Sequence, residues 1–142
     1  MGVEIDGLAI PSNFKNNGMV FAIGEEGGLY RSLDRGDNWH PVFDKARRIT
    51  TITFYMKDNE LRCLLGDRDG NIFLSKDDGK SWQKLMETDD CGKLTSIITV
   101  NDADSGRIFF VGTEKKGIVQ FKEGAQTAEA ARNALSETYI TD

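Results

Sequence analysis

The chain has 142 residues, 39% of them hydrophobic and 29% charged, which suffices for one folded domain with its own core and excludes a disordered segment. A net charge of −5 and a pI near 4.9 exclude a phosphate-backbone partner such as nucleic acid, since the densest basic cluster is only Lys45, Arg47 and Arg48. No run reaches the roughly 18 apolar residues of a membrane span, and Cys63, Cys91 and the single His40 form no close-spaced metal pattern. The expectation is two free thiols in a reducing, cytoplasmic compartment, with no secretion signal, cofactor or metal.

In chain order, Ile5 to Ile10 is the first run with strand character, Asn16-Asn17-Gly18 the first turn, and Met19-Val-Phe-Ala-Ile-Gly24 the second strand. Gly27-Gly-Leu-Tyr-Arg-Ser-Leu-Asp-Arg-Gly-Asp-Asn-Trp39 adds a third strand, a turn and the start of a fourth. The succession then returns. Ile49 to Phe54 is a strand, Lys57-Asp58-Asn59 a hairpin turn and Leu61-Arg-Cys-Leu-Leu-Gly66 a strand. Gly70-Asn-Ile-Phe-Leu-Ser-Lys-Asp-Asp-Gly-Lys-Ser-Trp82 lies without gaps on Gly27 to Trp39, 43 residues further on. The upstream runs align glycine on glycine, Gly24 with Gly66, at an offset of 42. A third unit takes in Leu94 to Val100, a turn from Asn101 to Gly106, Arg107-Ile-Phe-Phe-Val-Gly112 and Gly117-Ile-Val-Gln-Phe121. Its next turn, Lys122 to Thr127, has lost Ser, Asp and Trp.

A repeat period of roughly 40 to 50 residues built of strands points to a propeller. The predicted class is therefore all-β, with about three antiparallel four-stranded blades at 5–43, 49–86 and 94–121 inside a repeat region 1–127. Residues 128–142, with Ala128, Ala131, Leu135 and Tyr139 near helical spacing, are predicted as a short amphipathic C-terminal helix or a loose tail. Three blades do not close a ring, so the expectation is a partial propeller or one completed by self-association.

The repeated turn reads Ser-x-Asp-x-Gly-x-x-Trp, as Ser32, Asp34, Gly36 and Trp39 and again as Ser75, Asp77, Gly79 and Trp82. A tight turn leaves backbone N–H groups without ladder partners, and an aspartate carboxylate with a serine hydroxyl can accept from them. The glycine permits positive φ, and the indole can cover the turn. These residues are expected to be structural staples.

The two boxes resemble those of the bacterial neuraminidase repeat, or Asp-box, family of sialidase-like β-propellers, over roughly residues 5 to 121. That resemblance spans sialidases, sortilin-type receptors, some glucan hydrolases and a photosystem II assembly factor, so it implies a fold and not one function. A sialidase-like site would use three arginines, a Tyr-Glu pair and an acidic proton donor. The arginines here, Arg31, Arg35, Arg47, Arg48, Arg62, Arg68, Arg107 and Arg132, match no such triad.

Glu25, Glu26, Asp67, Asp69 and Glu114 follow the second-type strand of each unit and are expected on one rim, either as solvated charges or as paired carboxylates for glycoside hydrolysis. Asp67-Arg68-Asp69-Gly70, with Asp77 and Asp78, has the acidity of a calcium loop without its spacing. Tyr30 and Phe73 read as core or sheet-face residues, and His40 belongs to no catalytic constellation. The function expected is a non-catalytic interaction or scaffold module that binds a protein, or a glycan, through rim loops. The alternative is a fragment or subunit of a sialidase-like or glucan-active glycoside hydrolase.

Overall fold

The computed structural model describes residues 4–12, 18–44, 48–104 and 106–130. They form three antiparallel four-stranded meanders, each with its strands in sequence order. Blade 1 contains β1 (Ile5–Ala9), β2 (Val20–Gly24), β3 (Leu29–Ser32) and β4 (His40–Phe43). Blade 2 contains β5 (Ile49–Lys57), β6 (Glu60–Asp67), β7 (Asn71–Ser75) and β8 (Gln83–Glu87). Blade 3 contains β9 (Leu94–Asp102), β10 (Gly106–Thr113), β11 (Ile118–Lys122) and β12 (Glu129–Ala130).

Successive side chains of a strand point to opposite faces, so each blade has a forward face and a rear face to fill. Met19, Phe21, Ile23 and Leu29 on the forward face of blade 1 bury against Cys63, Leu65 and Phe73 on the rear of blade 2. Leu64, Ile72 and Leu74 on the forward face of blade 2 bury against Ile97, Phe109, Val111 and Val119 on the rear of blade 3. Blade 2 thus carries apolar residues on both faces, which is why its strands read as near-continuous hydrophobic runs.

The register corrects the glycine-on-glycine alignment. Ile23 faces Leu29 and Gly7 across the ladder, while Gly66 faces Ile72 and Thr51. The counterpart of Gly66 is therefore Ile23, that of Gly24 is Asp67, and one offset of 43 runs from the second strand to the fourth of both units. A shift of one residue exchanges the two faces of a strand, so the distinction decides which side chains meet. Gly66 ends no strand: a Cβ there would fall 2.9 Å from Thr51 Cγ2 and 3.1 Å from Leu94 Cβ, so close packing selects it.

The C-terminal expectation is also corrected where it can be compared. Instead of opening a helix, Glu129–Ala130 pair with Val119 and Gln120 as the fourth strand of blade 3. The rest of the predicted helix, from 131 onward, lies outside the described residues, as do Lys45, Arg47, Asn16 and Asn17.

Candidate functional site

Each meander has two ends. At one lie the β3–β4 and β7–β8 turns that carry the repeated motif. Ser32 Oγ accepts from the backbone N–H of Asp34 (3.2 Å) and Gly36 (2.8 Å) and donates to Asp34 Oδ1 (2.8 Å). Asp34 also accepts from the backbone and side-chain nitrogens of Asn38, at 2.8 and 2.7 Å. Trp39 closes the turn by donating Nε1–H to Gly36 O at 2.9 Å. The second turn repeats this, with Ser75 accepting from Asp77 and Gly79, Asp77 accepting from Ser81, and Trp82 donating to Gly79 O. The donors of Asn38 hold the Asp34 carboxyl down to about 2, and those of Ser81 do the same for Asp77. The geometry of these eight residues, Ser32, Asp34, Gly36, Trp39, Ser75, Asp77, Gly79 and Trp82, is turn closure throughout.

The opposite end holds a cavity of about 510 Å³ at the starts of β1, β5 and β9. A one-residue bulge recurs there in all three inner strands. Ladder pairing skips from Ile5 to Gly7, from Ile49 to Thr51 and from Leu94 to Ser96. The residues left out, Asp6, Thr50 and Thr95, all line the cavity, as expected of bulges that release a side chain from the ladder and re-aim it. Thr50 Oγ1 donates to Leu94 O, tying blade 2 to blade 3 at this point.

A second recurrence frames the bulges. Glu25 N–H donates to Glu4 O, Arg68 N–H to Arg48 O, and Glu114 N–H to Lys93 O, at 2.7, 3.1 and 2.9 Å. The same backbone frame thus carries a carboxylate pair in blade 1, an arginine pair in blade 2, and one residue of each sign in blade 3. Asp6, Glu25 and Glu26 stand on the acidic side of the cavity, Arg48, Arg68 and Lys93 on the basic side, over a floor of Ile23, Ile49 and Leu94. The Glu25 carboxyl is held above its ordinary value, first by its hydrogen bond with Glu4, then by partial desolvation and the charges of Asp6 and Glu26.

Of the five acidic residues expected on one rim, the cavity gathers Glu25 and Glu26. Asp67 is corrected from a rim charge to a buried turn residue, 1% exposed. Its carboxylate accepts from Asp69 N, Asn71 N and Asn71 Nδ2 at 2.9, 2.8 and 2.9 Å, which also accounts for the calcium-loop appearance of this segment. Asp69 and Glu114 are exposed at their turns and do not line the cavity; Glu114 accepts from Lys93 N–H at 3.3 Å. Residue types alone missed Asp6, Thr50, Thr95, Arg48, Arg68 and Lys93. The signal that finds them is the corrected repeat register, which sets Glu25, Arg68 and Glu114 at one position. Among the described residues no group of three or more His, Cys, Asp or Glu is placed to hold a metal ion, and no helix is long and apolar enough to cross a membrane.

Face-packed four-stranded meanders with their inner strands gathered at one mouth define blades of the β-propeller class. No family model matches the chain. Over 102 residues it is 28% identical to vacuolar protein sorting/targeting protein 10 of Emericella nidulans, a match covering 68% of this chain and 7% of that protein. Its fold is similar to that of YCF48 bound to D1 peptide, with a TM-score of 0.61 at 17% identity, covering 94% of this chain and 41% of the other. YCF48 from Cyanidioschyzon merolae gives 0.59 at 15% identity, covering 84% and 42%. The computationally designed Ika8 protein gives 0.55 at 16% identity, covering 88% and 35%. The chain thus spans less than half of each of these proteins.

Proposed function

We propose that the chain is a non-catalytic propeller-type interaction module that takes an extended polypeptide across the rim cavity. The observation that carries this reading is the split of charge over one frame, acidic on blade 1 and basic on blade 2, above an apolar floor. A segment bearing a basic and an acidic side chain a few residues apart satisfies both sides, and its backbone finds an acceptor in the Thr50 hydroxyl and a donor or acceptor in that of Thr95. The fold neighbour bound to a peptide and the sorting-protein relative support a protein partner over a glycan. The two Ser-Asp-Gly-Trp turns support placing the chain near the Asp-box propellers, where the turn staples a blade and the opposite rim meets ligands.

A random peptide library displayed on phage and panned on the immobilised chain tests the reading. Enriched sequences are expected to pair basic with acidic positions, and Arg48→Glu with Arg68→Glu is expected to invert the preference at the acidic position. Enrichment indifferent to that double reversal would remove the cavity as the binding site. One observation favours the second reading, a piece of a glycoside hydrolase: Asp6, Glu25 and Glu26 are three carboxylates lining one cavity, and Glu25 is biased toward its protonated form. Turnover of fluorogenic sialosides or glucosides that disappears in Glu25→Gln would establish it.

A further inference from the structure

The corrected register assigns each position of one blade a counterpart in the others, and the counterparts show what the two outermost faces are built to meet. On the forward side, Phe21, Leu64 and Phe110 are equivalent, as are Leu29, Ile72 and Ile118. Phe21 and Leu29 are buried by blade 2, and Leu64 and Ile72 by blade 3. Phe110 and Ile118 hold the same positions on blade 3, beside Ile98 and Val100, which are 60% and 45% exposed.

On the rear side, Leu8, Ile52 and Ile97 are equivalent, as are Tyr30, Phe73 and Val119. Ile97 and Val119 are buried against blade 2, Phe73 is buried against blade 1, and Ile52 packs on that same seam. On blade 1, Leu8 is 70% exposed and Tyr30 is half-buried. The three described blades therefore present a forward face of the kind that twice receives a rear face, and a rear face of the kind that twice fills a forward one.

We infer that these two faces are partners and that a second copy of the chain covers both, blade 3 of each copy packing on blade 1 of the other. The contact is heterologous at each seam, yet two copies return to the start, so neither of these two faces is left over and no filament grows. Six blades fall within the 4 to 8 typical of propellers, and a third copy would exceed it. Exposed apolar sheet faces of this extent are a liability that such closure removes.

The test is the mass in solution, by sedimentation velocity, of the 142-residue chain, with Leu8→Asp and Ile98→Asp as variants. Both side chains are already mostly exposed in a single copy, so a carboxylate there leaves the blade itself intact, which a tryptophan-fluorescence melt verifies. The wild type is expected at twice the 15.8 kDa of one chain. Each variant alone spoils both seams of the ring and is expected as a folded monomer. Mixed in equal amounts, the two variants share one seam in which neither face is altered, and a heterodimer is expected to return. A wild type that stays monomeric overturns the inference and leaves the faces to a different protein. A variant that remains dimeric on its own, or a mixture without rescue, overturns it equally by excluding head-to-tail pairing.

Discussion

Three donors converge on the Asp77 carboxylate: the Ser75 hydroxyl, the Ser81 backbone N–H and the Ser81 hydroxyl. Asp77→Ala removes the acceptor of the Ser81 amide and of the Ser75 hydroxyl, and a melting temperature lower by about 5 °C is expected from the loss of one to two net hydrogen bonds. The charge has its own signature. A carboxylate held at about 2 when folded, against an ordinary 3.8, contributes stability that is full above the unfolded value and disappears as pH falls through the folded one. Wild type should therefore lose stability between pH 4 and 2, and the double variant Asp34→Ala, Asp77→Ala should lose less over that interval. Urea titrations at pH 5 and pH 2.5 decide this, and equal losses would dismiss the carboxylates as the cause. Gly27 poses a different test, of close approach. At φ +89°, a Cβ there would sit 2.3 Å from Arg48 Cα, backbone that cannot move aside. Gly124 has the same φ with nothing within 4 Å. Gly27→Ala should thus destabilise by about 2 kcal/mol more than Gly124→Ala, the cost of overpacking on top of a shared backbone strain. Matched melts of the two variants measure that difference.

Between elements, the blade seams carry the packing. Phe109, 1% exposed, stacks on Phe121 at 4.7 Å and meets the Tyr55 ring edge-on at 5.4 Å across the seam of blades 2 and 3. Phe109→Ala should cost about 3–5 kcal/mol, read as a lower urea midpoint. A cost under about 1 kcal/mol would mean that the seam contributes little. Strand alternation, the Lys57 to Glu60 hairpin with positive φ at Asp58 and Asn59, and the 43-residue spacing were all legible in the sequence, because each depends on neighbours along the chain. The phase of β6 was not. Gly66 looks like the strand-ending Gly24, but it is a packing gap for Leu94, a contact 28 residues away that composition does not announce. The rim suffered from that slip, since only the true phase reveals Arg68 beneath Glu25. Asp67 misled for a related reason: its acidity suggested a solvated loop, while its bonds turn it inward. Glu129–Ala130 fall in the stretch expected as a helix or a loose tail, because two residues carry no strand periodicity and the pairing that fixes them comes from β11.

At the scale of the whole molecule, blade 2 belongs to both cores, so neither seam opens without disturbing the other. The two cysteines report on this. Cys63 lies in the seam of blades 1 and 2 and Cys91 in that of blades 2 and 3, both free and buried. Burial, with the charges of Asp78 and Asp77 adding to it, pushes the Cys63 thiol up to about 12, so it is unreactive while folded. Alkylation at pH 8, followed by peptide mass, should modify both at one common rate set by global unfolding. Early labelling of either alone would mean that a terminal blade peels away first, as nearest-neighbour repeat arrays permit. The three bulges carry a further consequence. Asp6 and Thr95, unlike Thr50 with its tie to Leu94 O, stand outside the ladder, so the strands keep their pairing whichever residue occupies these two places. Recognition at the mouth is thereby uncoupled from folding. A set of variants altered only there should melt together while differing in what they bind, which makes this rim a surface that evolution, or an engineer, can rewrite without rebuilding the blades.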